Sequence, residues 1–325
     1  MGELRISLAM WDYDRTRGLL DGSVKAEGLE IIPVCLPPEE TFWRQVRRKE
    51  FDVCEMSLSY YTLFRSRGQD DFIIIPIFLS RIFRHSCFYV NSQSRIEKPQ
   101  DLKGKKLGIP AYPMTAMVYM RGLLQHEYGI SPWDVEWCYS REELIDWQPP
   151  PDLKIQRIPG DRTLDEMLQK GEIAALLTAR KPLSFEAKAP WIKRLFPNFK
   201  AEEMAYYRKT KIFPIMHTVA IKRELYEKHP WMAQNLCKAF IRAQRKCYED
   251  MEEAAALKYM LPWLLAEVEE AKAVLGEQFW PYGVEPNRPT IEALAQFSHE
   301  QGLAARRMKV EELFAPETLD EFSLW

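Results

Sequence analysis

Apolar and polar residues alternate from Leu4 to Ala9 (LRISLA), the period of a strand with one buried face. Leu29 to Cys35 (LEIIPVC) predicts a second strand. Glu39 to Lys49 predicts a helix that opens on acids and closes on bases, as the helix dipole favours. Asp52 to Met56 predicts a short strand, and Ser59 to Ser66 a short helix with Ser57 or Ser59 as its N-cap. Phe72 to Ile77 is an apolar run of strand length. This βαβα order predicts a mostly parallel sheet with helices on both faces.

The pattern then restarts. Cys87 to Val90 predicts a strand, Asn91 to Ser94 a polar turn, and Leu102 to Ile109 a glycine turn and strand. Thr115 to Tyr128 predicts a helix capped by Thr115 and closed by Gly129. Val135 to Tyr139 and Ile173 to Leu177 predict strands on either side of a helix over Asp161 to Lys170. A long irregular section, Ala179 to Phe213, precedes a strand over Ile215 to Ile221. From Arg223 onward the chain reads as nearly all helix, with breaks at Pro262, Pro281 and Pro286.

No flexible spacer separates the two α/β units, so paired crossing strands near His85 to Val90 and Ile215 to Ile221 are expected to join them. The expected organisation is one discontinuous lobe, residues 1–88 plus 216–325, and one inserted lobe, residues 89–215. The C-terminal helices are expected to cover the first lobe. A cleft between two lobes is a usual place for a small ligand.

The 45 basic and 47 acidic side chains nearly cancel, giving no overall field to attract nucleic acid or a membrane surface. The start of the chain has no secretory pattern and no apolar run reaches membrane-spanning length, so a cytoplasmic location is expected. The six cysteines form no CxxC pair and mostly sit in apolar contexts, which suits buried free thiols. P-loop, GxGxxG, HExxH and GxSxG patterns are missing. No cofactor is therefore expected, although a divalent metal held by residues distant in sequence stays open.

Chemistry-bearing residues concentrate in a few places. Arg81-Ile82-Phe83-Arg84-His85-Ser86 places two guanidiniums and an imidazole beside an apolar run. As a strand it would put Arg81, Phe83 and His85 on one face and Arg84 and Ser86 on the other. Arginine is the natural partner of a carboxylate, and the bland alternative is a solvated loop. His217, in an apolar strand, reads either as a core histidine or as a cleft residue facing His85. Trp11, Asp12 and Tyr13 follow the first strand, where ligands of open α/β sheets bind; an N-cap aspartate with packing aromatics would look the same.

Glu55, Ser57 and Ser59 follow the third strand, and Tyr112 and Thr115 open the helix of the second unit. Both sets suit an anion, and both suit ordinary capping. Arg180 is the expected carboxylate clamp from the second unit, against an exposed loop arginine. Tyr206, Tyr207 and Lys211 are weaker candidates. His126, His229 and His299 read as structural.

The segments FDVCEMSLSYY (51–61), FLSRIFRHSCFYVNSQS (78–94), LKGKKLGIPAYPMTAMVYMRGLLQHEYGI (102–130), GEIAALLTARKP (171–182), IFPIMHTVAI (212–221) and FWPYGVEPNRPTIE (279–292) carry a resemblance. The order of elements resembles the type II periplasmic-binding-protein fold, an α/β, two-lobed architecture with a helical C-terminal extension here. The local motifs resemble the 4,5-dihydroxyphthalate decarboxylase family. DLKGKKLGIP is generic to the binding-protein superfamily, whereas SRxFRHS and FPIMH are more specific.

The resemblance implies non-oxidative decarboxylation of a hydroxylated aromatic dicarboxylate, 4,5-dihydroxyphthalate to 3,4-dihydroxybenzoate and carbon dioxide, by ring protonation. For that chemistry the residues' types and places make Arg81, Arg84 and Arg180 the expected carboxylate binders, His85 and His217 the expected acid–base pair in either order, and Asp12 the group expected to orient a ring hydroxyl. Trp11, Tyr13, Glu55, Ser57, Ser59, Tyr112 and Thr115 are the remaining expected substrate contacts. The alternatives are a carboxylate-binding or sensor protein of the same fold, and an enzyme acting on another carboxylated ring, such as a pyrimidine-precursor synthase. No Cys-rich iron-binding run supports the latter. Apolar and aromatic C-terminal residues leave a homo-oligomer open.

Overall fold

The computed structural model describes residues 2–320. The last five positions of the expected C-terminal helical region lie outside the described residues. The first half of the chain runs β1 (Leu4–Met10), α1 (Arg17–Leu20), β2 (Leu29–Cys35), α2 (Pro38–Arg48), β3 (Val53–Ser57), α3 (Leu58–Ser66), β4 (Phe72–Arg81), β5 (Phe88–Asn91), β6 (Lys106–Ile109), α4 (Thr115–Tyr128) and β7 (Glu136–Tyr139). It continues through β8 (Ile155–Arg157), α5 (Leu164–Gln169), β9 (Ala175–Leu177), α6 (Leu183–Glu186), β10 (Ile192–Arg194), α7 (Phe199–Thr210) and β11 (Ile215–Lys222). Four helices follow: α8 (Arg223–Lys228), α9 (Trp231–Glu252), α10 (Leu264–Leu275) and α11 (Arg288–Glu300).

The strands form two sheets. The first has the order β2-β1-β3-β11-β4, and the second β10-β5-β9-β6-β7-β8. β1 pairs in parallel with β2 and β3, while β11 runs antiparallel between β3 and β4. In the second sheet β6 is parallel to β7 and β9; at one edge β5 pairs antiparallel with β9, and β10 antiparallel with β5. Crossover helices cover such sheets, so β3 is buried along its whole length. Pro76 sits in β4, an edge strand, where a missing N–H is tolerated. Gly283 and Ala315 then cover that edge by donating to the carbonyls of Pro76 and Ile74.

The junction between the sheets differs from its expected form. β4 runs on to Arg81, residues 82–84 form a loop, and His85–Cys87 makes a 3₁₀ turn. The return passes through residues 211–214, and the Ile82 amide donates to the Pro214 carbonyl. The stretch from Arg81 to Ser86 is therefore not a strand, and the alternation expected there does not apply. The section expected to be irregular contains α6, β10 and α7. β10 is three residues long with Lys193 and Arg194 in it, and Tyr206 is the buried residue of α7, so neither gives a clear periodic signal.

Thr115 is the first residue of α4 and not its cap, because its hydroxyl is engaged elsewhere. Gly129 does close that helix, at φ 69°. The C-terminal helices do more than cover the first sheet. α9 packs on β4 and α1, while α11 lies against α3 and α4 and so touches both halves. From Gly302 to Asp320 the chain is loop and 3₁₀ turn. All cysteines are free, and Cys35 is the exposed one. Among the described residues no helix is long and apolar enough to cross a membrane.

Candidate functional site

A cavity of about 280 Å³ opens where β3, β4 and β11 of the first sheet end near α4 of the second. That volume suits a single substituted ring. His217 lines it from β11. The β11–β4 pairing shifts register on both sides of His217, which faces Ser57 on β3 and Ser80 on β4. Bulges re-aim side chains, and here all three residues reach the cavity.

Behind His217 stands Glu55, with no exposed side-chain surface. Its Oε1 lies 2.6 Å from His217 Nδ1. The same oxygen accepts from the Tyr13 hydroxyl at 2.6 Å, and Oε2 accepts from the Trp11 amide at 3.1 Å. Burial pushes the Glu55 carboxyl up, but the bonds from His217, Tyr13 and Trp11 outweigh it and hold the group below the usual carboxylate range. The carboxylate fixes the imidazole tautomer and leaves Nε2 for the cavity. Phe42 meets the imidazole edge-on, 4.8 Å between centroids.

Ser57 and Thr115 join the two sheets across the cavity floor. Their hydroxyls are 2.8 Å apart, with Ser59 behind at 3.0 Å from Thr115 and donating to the Pro113 carbonyl at 2.6 Å. Ser57 also caps α3, as expected, by accepting from the Tyr60 amide.

Arg84 supplies the cation. Only 7% of its surface is exposed, yet it lines the cavity. Its bond is a weak one to Cys87 Sγ at 3.7 Å, its Nε has no partner, and it pairs with no acid among the described residues. Glu203 feels its charge from beyond ion-pair distance. A buried guanidinium without a direct carboxylate pair is costly, and a ligand carboxylate would supply one. Arg180 stands at the rim, 69% exposed, bonded to Glu39 of α2 at 2.7 Å. Arg141 approaches the same glutamate at 3.8 Å. Exposed pairs of this kind contribute roughly 0–1 kcal/mol, so an incoming anion can displace them.

Several expected site residues lie elsewhere. Arg81 ends β4 facing away, donating to the Phe213 carbonyl at 2.9 Å and the Pro281 carbonyl at 3.3 Å, over the Phe213 ring. Burial lowers its guanidinium to about 10, which leaves it charged at neutral pH. His85 is turned by the 3₁₀ turn into an aromatic nest of Phe196 and Tyr206. Burial pushes it down to about 4, and its Nδ1 has no partner. The ring does not line the cavity that His217 lines.

Asp12 is exposed and pairs with Arg17 at 3.1 Å. Trp11 is also exposed and contributes its amide, not its ring, to Glu55. Tyr13 and Glu55 sit behind His217 and do not line the cavity. Tyr112 is buried, stacked on Trp147 at 4.7 Å with Arg121 over its other face. Tyr206, Tyr207 and Lys211 also lie outside the cavity wall. Among the described residues His217 is the histidine that lines it; His126 bonds Glu300, His299 bonds the Ala304 carbonyl, and His229 meets Trp231.

Sequence reasoning missed Ser80, Phe42, Glu39 and Arg141. Ser80 precedes the arginine that drew attention, and strand alternation predicts opposite faces for the two. The others carry no local signal of a site. Among the described residues no cluster of three or more His, Cys, Asp or Glu could hold a metal ion.

No family model matches the chain. The protein named 4,5-dihydroxyphthalate decarboxylase from Comamonas testosteroni is 35% identical over 330 aligned positions, covering 100% of both chains. A protein of the same name from Pseudomonas putida is 35% identical over 214 positions, covering 64% of this chain and 83% of that one. Among solved structures, the periplasmic sulfonate-binding protein SsuA from Methylobacillus flagellatus KT superposes with TM-score 0.57 at 12% identity, covering 98% of this chain and 93% of that one. SsuA from Escherichia coli gives 0.55 at 14%, covering 97% and 92%. The latter two establish the type II periplasmic-binding-protein fold, and the full-length relative establishes the lineage: the chain belongs to the 4,5-dihydroxyphthalate decarboxylase family.

Proposed function

We propose that this protein decarboxylates a hydroxylated aromatic dicarboxylate, converting 4,5-dihydroxyphthalate to 3,4-dihydroxybenzoate and carbon dioxide. The observation that carries this reading is the pairing, in one cavity, of a carboxylate-backed imidazole with a buried guanidinium that makes no direct ion pair among the described residues. The name of the full-length relative supports the same substrate.

Arg84 receives the carboxylate that stays on the ring. The Ser57 and Thr115 hydroxyls hydrogen-bond a ring hydroxyl. The hydroxyl para to the departing carboxylate pushes electron density to the ipso carbon. His217, as an imidazolium whose charge Glu55 balances, delivers its Nε2 proton there and becomes the neutral ring with Nδ1–H still on Glu55. The bond to the carboxylate then breaks, carbon dioxide leaves, and its bonding pair restores aromaticity. One proton is consumed per turnover, and His217 regains it from water. With His85 outside the cavity, a single histidine serves as the acid, in place of the expected pair.

The test is incubation of the purified protein with 4,5-dihydroxyphthalate and with unsubstituted phthalate. The reading expects 3,4-dihydroxybenzoate and carbon dioxide in equal amounts from the first, and no product from the second. Thermal stabilisation by the dihydroxy acid without product would overturn it in favour of a binding protein.

A further inference from the structure

The loop after β1 was expected to offer its aromatic rings to the ligand. Instead it grips the carboxylate behind the histidine. We infer that Tyr13 is a positioning residue for His217, its hydroxyl holding Glu55 in the orientation that presents His217 Nε2 to the cavity. The inference rests on the proposed role of His217.

Three observations carry it. The Tyr13 hydroxyl and His217 Nδ1 converge on one oxygen, Glu55 Oε1, at 2.6 Å each. Tyr13 is itself clamped: the Arg15 guanidinium lies 4.3 Å from its ring centroid and 4.2 Å from that of Trp280. Arg15 is anchored in turn on the Leu79 carbonyl at 2.8 Å and on Asp14 at 2.9 Å. The clamp therefore ties the loop to β4, one residue before Ser80, whose side chain neighbours the Tyr13 hydroxyl.

The electrostatics agree with this geometry. Burial, and then the charge of Glu55, push the Tyr13 phenol far above its usual range, so it remains a neutral donor. The groups facing the Glu55 carboxylate are His217 and Tyr13, with Arg15 behind Tyr13 and the Cys54 thiol alongside. Burial pushes that thiol up, so it adds no charge. Removing the Tyr13 hydroxyl takes away one of the three donors that oppose the burial of Glu55.

The experiment is Tyr13→Phe, which keeps the ring and its Arg15 clamp. The expected result is a kcat lower by roughly tenfold to a hundredfold with KM within about twofold, and an acid limb of the kcat–pH profile moved upward. In a Glu55→Gln background the same change should cost little more. The His217 Nδ1 proton resonance, followed by NMR without substrate, should also move. A uniform loss at every pH that adds fully to Glu55→Gln would overturn the inference, as would an unmoved resonance. If the wild type has no activity, the proposed reaction fails, and the resonance alone decides the role of Tyr13.

Discussion

Glu55 Oε1 lies 2.6 Å from His217 Nδ1 while Glu55 itself has no surface in contact with solvent. A charge so placed is stable only while its donors remain, and the imidazole keeps one tautomer only while the charge remains. Glu55→Gln keeps the shape and removes the charge. It should lower kcat by roughly a hundredfold or more and leave KM nearly unchanged, as steady-state kinetics at pH 7 would register.

The two arginines of the 81–84 segment should separate cleanly. Arg84→Ala removes the buried carboxylate partner from the cavity and should raise the Kd for 3,4-dihydroxybenzoate by roughly ten- to a hundredfold. Arg81→Met should leave that Kd unchanged, because Arg81 serves the Phe213 and Pro281 carbonyls. It should instead lower the thermal midpoint, since both carbonyls lose a charged donor. Calorimetry on the two variants reads both effects.

His85 predicts a pH dependence of stability. Its folded-state value near 4 lies below the ordinary histidine value, so the unfolded chain binds the extra proton first. Stability from this group is complete above about pH 6.5 and is lost as the pH falls toward 4. Glu203 touches the same turn, accepting from the Ser86 amide at 3.3 Å, and burial raises it to about 7. Its sign is opposite: it favours the fold as the pH falls from about 7 to 4.5. Arg84 and Arg194 also act on Glu203 and limit its rise. His85→Phe should therefore flatten the acid decline of the thermal midpoint, and Glu203→Gln should steepen it. Neither should abolish turnover.

Gly122 tests the bridge made by α11. A Cβ there would meet the Phe297 ring at 2.2 Å. Alanine improves helix propensity by about 1 kcal/mol, whereas overpacking costs about 1–3 kcal/mol. Phe297 is also held by Tyr119 and His126, so it has little room to yield. Gly122→Ala should thus destabilise on balance, as a denaturant midpoint would reveal.

The sequence carried β2 and α4 to the residue, because local period and a closing glycine decide them. It also pointed to Arg84, Ser57, Thr115, Arg180 and His217, all of which line the cavity. It misplaced His85 because one rule, strand alternation, was extended past Arg81. The turn there depends on the Ile82–Pro214 bond and on packing against Phe196 and Tyr206, more than a hundred residues away. Tyr13 and Glu55 were recognised as polar residues beyond strand ends, but nothing local says that they face a histidine and not a ligand.

In the proposed reaction His217 protonates the ring. Single-turnover decarboxylation of 4,5-dihydroxyphthalate by the wild type and by His217→Ala, with His85→Ala beside them, tests it most directly. His217→Ala should lose roughly a hundredfold to ten-thousandfold in rate, and His85→Ala should turn over near-normally. Near-normal turnover in His217→Ala, or a collapse confined to His85→Ala, would contradict that role.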